Sequence, residues 1–137
     1  MWNCVLGMDG DILKRVIPEK DIQRAIKDYL QILKNQGKLM FIRNNSGAMP
    51  IKGKNGKMRY IKFGEKGSAD ILLFVPLYLT NSIKTLEAIA LEVKKIDGVQ
   101  SADQKKWQAN WERLGGAYYI VRCLEDVIKI IRLEEEK

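Results

Sequence analysis

Two apolar runs, Ser68 to Val75 and Thr85 to Lys94, flank a turn-prone Thr80-Asn81-Ser82, and no other feature of the chain restricts its fold as tightly. Runs this continuous read as central strands. Taken as an antiparallel hairpin centred on that turn, they pair residues whose numbers sum to 162, which sets Asp70, at the start of one strand, opposite Glu92, near the end of the other. Strand alternation then puts the Lys94 amine on the same face as the Glu92 carboxylate and turns Val93 into the core. Pro76 is expected to end the first strand early or to force a bulge, because proline donates nothing to a ladder.

Around this pair, helical and strand patterns alternate. Pro18 suits a first helical turn, and Ile22, Ala25, Ile26, Tyr29, Leu30 and Leu33 follow at helical spacing until Gly37 stops them. Leu39 to Arg43 reads as a strand, which Asn44, Asn45, Ser46, Gly47 and Pro50 break, and Met58 to Phe63 reads as another beyond the Gly53 to Gly56 turn. Ser101 and Gln104 have capping-box spacing and open a helix through Leu114, with Trp107, Trp111 and Leu114 as its buried stripe. Gly115-Gly116 ends that helix, Ala117 to Cys123 makes a strand, and Leu124, Val127, Ile128 and Ile131 line a last helix. The expected class is α/β, a mixed sheet covered by helices on both sides. A chain of 137 residues holds one such domain, with residues 1 to 17 as an unassigned extension.

Composition removes whole classes of chemistry. The chain has no histidine, which excludes histidine triads, histidine general bases and His-ligated zinc. Cys4 and Cys123 stand at opposite ends without CXXC spacing, which argues against a disulfide framework or a zinc site and for a reducing compartment. No signal peptide or membrane span is visible, so a soluble, cytoplasmic protein is expected. The net charge is +7, and most of it is local. Arg43, Lys52, Lys54, Lys57, Arg59, Lys62 and Lys66 face only one acid, Glu65, within 24 residues. Such a basic segment favours a polyanion, and nucleic acid is the commonest, although a solvated loop is the plainer reading.

The hairpin register brings two carboxylates and one ammonium to a sheet end. Two close carboxylates repel unless a proton or cation intervenes, and Mg²⁺ suits an oxygen set completed by water and phosphate. The simpler account is a Glu92–Lys94 salt bridge beside a turn-capping Asp70.

In their order, Gly67-Ser-Ala-Asp70, Glu92-Val-Lys94, Ser101-x-x-Gln104 and Gly115-Gly116 before a strand resemble the PD-(D/E)XK nuclease superfamily and, within it, the VRR-NUC (virus-type replication-repair nuclease) domains. Arg43-Asn-Asn-Ser-Gly47 and the basic segment ending in Phe63-Gly64 look like the stand-alone phage and bacterial members. The resemblance runs from Glu19 to Ile131. Ala69 stands where the family usually has proline, and the excursion from Asp70 to Glu92 is longer than the norm.

The resemblance implies a restriction-endonuclease-like αβββαβ core with an added C-terminal helix, and a deoxyribonuclease dependent on Mg²⁺ or Mn²⁺. Asp70, Glu92 and the Val93 carbonyl would hold the ion, and Lys94 would orient the attacking water. Glu19 resembles an additional family acid, and Gln104 a family glutamine, although a first helical turn and a capping box account for each without substrate. Arg43, Asn45, Ser46, Lys52, Lys54, Lys57, Arg59 and Lys66 are the residues expected against DNA. Branched DNA, Holliday junctions or flaps, would be the substrate in a bacterial or phage-infected cell, and junction cutting would call for a homodimer. Trp107 and Trp111 read as core rather than base-stacking platforms. A nuclease-like module that binds DNA without cutting it is the alternative. A small-molecule phosphate enzyme lacks any P-loop or GxGxxG signal.

Overall fold

The computed structural model describes residues 16–137, so Cys4 and most of the N-terminal extension lie outside the described residues. The chain runs α1 (Glu19–Asn35), β1 (Met40–Arg43), β2 (Gly47–Lys52), β3 (Met58–Phe63), β4 (Ile71–Tyr78), β5 (Lys84–Val93), α2 (Ala102–Arg113), β6 (Ala117–Val121) and α3 (Leu124–Glu135). Four strands form a mixed sheet in the order β1-β4-β5-β6, and β2 and β3 form a separate two-stranded ribbon. Strands β1, β4 and β5 are antiparallel neighbours, whereas β6 lies parallel to β5. That parallel pairing requires a crossover, and α2 supplies it.

The β4–β5 register is the one the sequence sets: Ile71 pairs with Leu91 and Phe74 with Ala88. Pro76 neither ends β4 nor bulges it, and pairs with Leu86. The reason is that β1 flanks β4 only from Ile71 to Phe74, so the missing N–H of Pro76 falls beyond the end of that neighbour. In the turn, the Thr80 hydroxyl accepts the N–H groups of Ser82 and Ile83.

Alternation along the strands sorts the two sheet faces. Ile71, Leu73, Val75, Ile89, Leu91, Val93 and Val121 are buried on one face, under Ile22, Ile26, Leu30 and Leu33 of α1 and Val127, Ile130 and Ile131 of α3. Helix α2 covers part of the opposite face, where Trp107 meets Tyr118 and the Trp111 indole N–H donates to the Ala117 carbonyl at 2.8 Å. The expected buried stripe on α2 is corrected: none of its residues is buried, the two tryptophans are half-exposed, and Leu114 is 77% exposed. The indoles stack on each other with centroids 5.0 Å apart, and this pairing takes the place of insertion into the core.

The second correction is β2, whose Gly47 to Pro50 segment reads as a turn but forms a strand. Both strands of a two-stranded ribbon are edges, so Pro50 sits opposite Tyr60 without breaking a ladder. A third concerns the cysteines: Cys123 is disulfide-bonded. Among the described residues, no helix is long and apolar enough to cross a membrane.

Candidate functional site

The carboxylates that the register predicts at one end of the β4–β5 pair are both there. Asp70 immediately precedes β4, and its Oδ2 accepts the backbone N–H of Val93 at 2.8 Å. On the other side of β5, the Lys94 N–H donates to the Val121 carbonyl of β6 at 3.0 Å. Successive residues of a strand point their backbone groups to opposite edges, so Val93 turns its N–H and C=O toward β4 while Lys94 bonds to β6. Val93 thus faces Asp70 by its backbone while its side chain is fully buried.

Glu92 occupies the other sheet face, only 1% exposed. Its Oε1 accepts the Gln104 side-chain amide at 2.6 Å and lies 3.2 Å from the Lys94 ammonium. Its Oε2 is buried without a hydrogen-bond partner. Burial pushes the Glu92 carboxyl up to about 7, the negative charge of Asp70 adds to the rise, and Lys94 opposes it. Asp70 is raised by burial too, against the lowering effect of the Val93 N–H.

Glu19, in the first turn of α1, raises both carboxyls through its charge, and Arg43, at the end of β1, lowers Asp70. The structure therefore groups Glu19, Asp70, Glu92, Lys94 and Gln104, with Arg43 at the border. Gln104 has two tasks. Its Oε1 accepts the Ser101 N–H at 2.8 Å and its own N–H donates to the Ser101 hydroxyl, closing the capping box, while its amide reaches Glu92.

The residues expected against nucleic acid divide by position. Lys52, Lys54, Lys57 and Arg59 are exposed on the ribbon or its turn, and Asn45 and Ser46 are exposed at its foot. Lys66 is exposed as well, 3.1 Å from Asp103 on α2. The neighbouring Asn44 is engaged internally: its amide donates to the Ser68 hydroxyl and to the Ala69 carbonyl, both at 2.9 Å, and its backbone N–H donates to the Asp70 carbonyl at 2.8 Å. Sequence reasoning missed this staple, and also Tyr118, which burial and the nearby Glu92 charge push up to about 12 and whose hydroxyl lies 3.1 Å from Gln100. Only a correct pairing of β6 beside β5 would have found Tyr118.

Among the described residues, no three or more Asp, Glu, Cys or His side chains gather tightly enough to hold a metal ion. Two carboxylates and a carbonyl are a different set, and their chemistry fits a hard divalent cation. All donors are oxygen, and Glu92 holds one oxygen out of water with nothing to accept from. Comparison with family models, with curated proteins and with solved structures finds no match to this chain.

Proposed function

We propose that this chain is a divalent-metal-dependent nuclease that hydrolyses DNA phosphodiester bonds. The observation that carries the reading is the unpartnered Oε2 of buried Glu92 beside Asp70, in a chain of net charge +7. Desolvating two acids next to each other is costly and stabilises no fold, whereas a site that takes up a cation and a phosphate uses both. Asp70, Glu92 and the Val93 carbonyl would hold the ion, Mg²⁺ or Mn²⁺, which when bound lowers the pKa of a water and offsets charge on the scissile phosphate.

The chain's own groups have distinct tasks. Lys94 balances charge beside Glu92 and presents its ammonium to the phosphate or to the attacking water. Gln104 fixes the Glu92 carboxylate from the helix side. Glu19 adds negative charge that both carboxyls feel. With β2–β3 set aside as an insertion, the order α1-β1-β4-β5-α2-β6 is αβββαβ, and this supports a restriction-endonuclease-like core of the VRR-NUC kind. On that reading the substrates are branched, junctions or flaps, cut by a homodimer when they are junctions.

The test is incubation of purified protein with labelled duplex, single-strand, flap and four-way-junction DNA in Mg²⁺, Mn²⁺ or EDTA. Ion-dependent cleavage supports the reading, and the product pattern selects the substrate. Binding without cleavage in every metal leaves the alternative, a DNA-binding module of the same fold.

A further inference from the structure

The β2–β3 ribbon is the part of the molecule that the fold does not explain. Its six residue pairs, from Gly47↔Phe63 to Lys52↔Met58, bond only to each other, and its contacts are overwhelmingly internal. Met49, Met58, Tyr60, Ile61 and Phe63 are all exposed, by 41% to 69%. An isolated hairpin is marginal in water, and apolar side chains projected on one imply a partner.

Charge says which partner. From Gly47 to Phe63 the ribbon carries Lys52, Lys54, Lys57, Arg59 and Lys62 and no acid. Edge lysines commonly block strand-to-strand aggregation, but that role does not place cations in the turn, where there is no edge to protect. Here Gly53, Lys54, Asn55, Lys57 and Arg59 line a shallow basin at the tip, shaped by the turn that Gly56 closes at φ 73°. The foot of the ribbon is fastened to the candidate site. Asn44 bonds to Ser68 and Ala69, Ser68 bonds to the Glu65 carbonyl, and the Trp107 indole holds Glu65 at 3.1 Å. A Cβ on Gly67 would lie 2.5 Å from the Asp103 carbonyl oxygen, so the turn that leads from the ribbon to β4 passes tightly over α2.

We propose that this ribbon is an arm that enters the major groove of double-stranded B-form DNA beside the Asp70–Glu92 site, a deepening that rests on the nucleic-acid reading above. A two-stranded ribbon fits the ~12 Å major groove, while the ~6 Å minor groove is too narrow for it. The deep, narrow major groove of A-form RNA does not admit it. Six residues per strand reach ~20 Å, so the tip cations meet phosphates about six base steps from the site, at 3.4 Å per step. Arg59, with Met49, Ile61 and Phe63 on the same face of the ribbon, faces base edges and thymine methyls, and Lys54 and Lys57 meet the backbone.

The experiment is binding in EDTA, where no cleavage occurs, to a 30-bp DNA duplex, an RNA duplex of the same sequence and single-stranded dT30, with dimethyl sulfate footprinting of guanine N7. Protection of N7 in the DNA duplex is expected. Lys52→Gln, Lys54→Gln, Lys57→Gln and Arg59→Gln together should remove that protection, lower duplex affinity on the order of 10²-fold near 0.1 M salt and reduce the salt slope by about three to four. All four positions are exposed, so the melting temperature should hold; if it falls, the turn-only pair Lys54→Gln and Lys57→Gln takes over, with a slope change of about two. Unprotected N7, an unchanged slope, or an equal loss of affinity for RNA duplex or dT30 overturns the arm. Protected N7 without metal-dependent cleavage keeps the arm and removes the nuclease.

Discussion

Asp70 accepts the Val93 N–H at 2.8 Å through Oδ2, so one carboxylate both ends the β4–β5 ladder and faces the candidate metal site. Its structural and chemical roles separate by substitution. Asp70→Asn keeps an oxygen acceptor for that N–H and loses the charge, whereas Asp70→Ala also orphans the N–H, at about 1–3 kcal/mol. Both variants, and Glu92→Gln, should lose metal-dependent cleavage while binding duplex DNA in EDTA at least as tightly as wild type, since each removes an acid that repels phosphate. Only the alanine should unfold measurably earlier in urea. Full cleavage by Asp70→Asn would sink the metal site.

Stability should fall with rising pH across the titration of Glu92. The folded carboxyl keeps its proton up to about 7, while the ordinary value is 4.5. Between these values the folded state binds more protons than the unfolded one, so the stabilisation is complete below the lower value and is lost as pH rises through the upper. The ceiling is about 3 kcal/mol, and access of water at the site mouth lowers it. Raised Asp70 acts in the same direction. The difference between wild type and Glu92→Gln isolates the one group. Urea midpoints in EDTA at pH 5 and pH 8 should lie further apart for wild type than for the variant, and added Mg²⁺ should restore wild type most at pH 8.

Lys94 is mostly buried and 3.2 Å from a carboxylate that it holds down in pKa. Lys94→Met keeps the stem and removes the cation. Turnover should fall by at least ~10²-fold with little change in KM, because the charge acts on the reacting phosphate rather than on the bound duplex. A rise in KM alone would make Lys94 a binding residue.

Much of this site was legible because strand physics is periodic. The turn at Thr80-Asn81-Ser82 fixed the pairing of Ile71 with Leu91, and that pairing carried Asp70 to Glu92. Alternation placed Lys94 on the Glu92 face, and capping-box spacing located Gln104. What escaped depends on neighbours distant in the chain. The reach of Gln104 to Glu92 needs α2 laid on the sheet, and the Asn44 staple needs β1 beside β4. Gly47 to Pro50 carries turn residues, and it became a strand because the ribbon has no second neighbour to object to Pro50. The tryptophans were misjudged because their spacing shows a shared helix face without showing whether that face is buried.

Gln104 offers the sharpest test of coupling between helix α2 and the site. Gln104→Glu preserves a capping-box acceptor for the Ser101 N–H but replaces the amide that donates to Glu92 at 2.6 Å with a second carboxylate. Gln104→Leu loses both contacts. In EDTA at pH 8 the glutamate variant should therefore melt several degrees below wild type, at about 4 °C per kcal/mol for a domain of this size. Lowering the pH to 5 protonates one of the facing acids and should recover most of the loss, and Mg²⁺ at pH 8 should do the same by bridging them. The leucine variant has no such remedy, because its lost cap is indifferent to both. If the deficit of Gln104→Glu against wild type is the same at pH 5 and pH 8, the helix does not hold its amide against Glu92 in solution, and Gln104 is a capping residue alone.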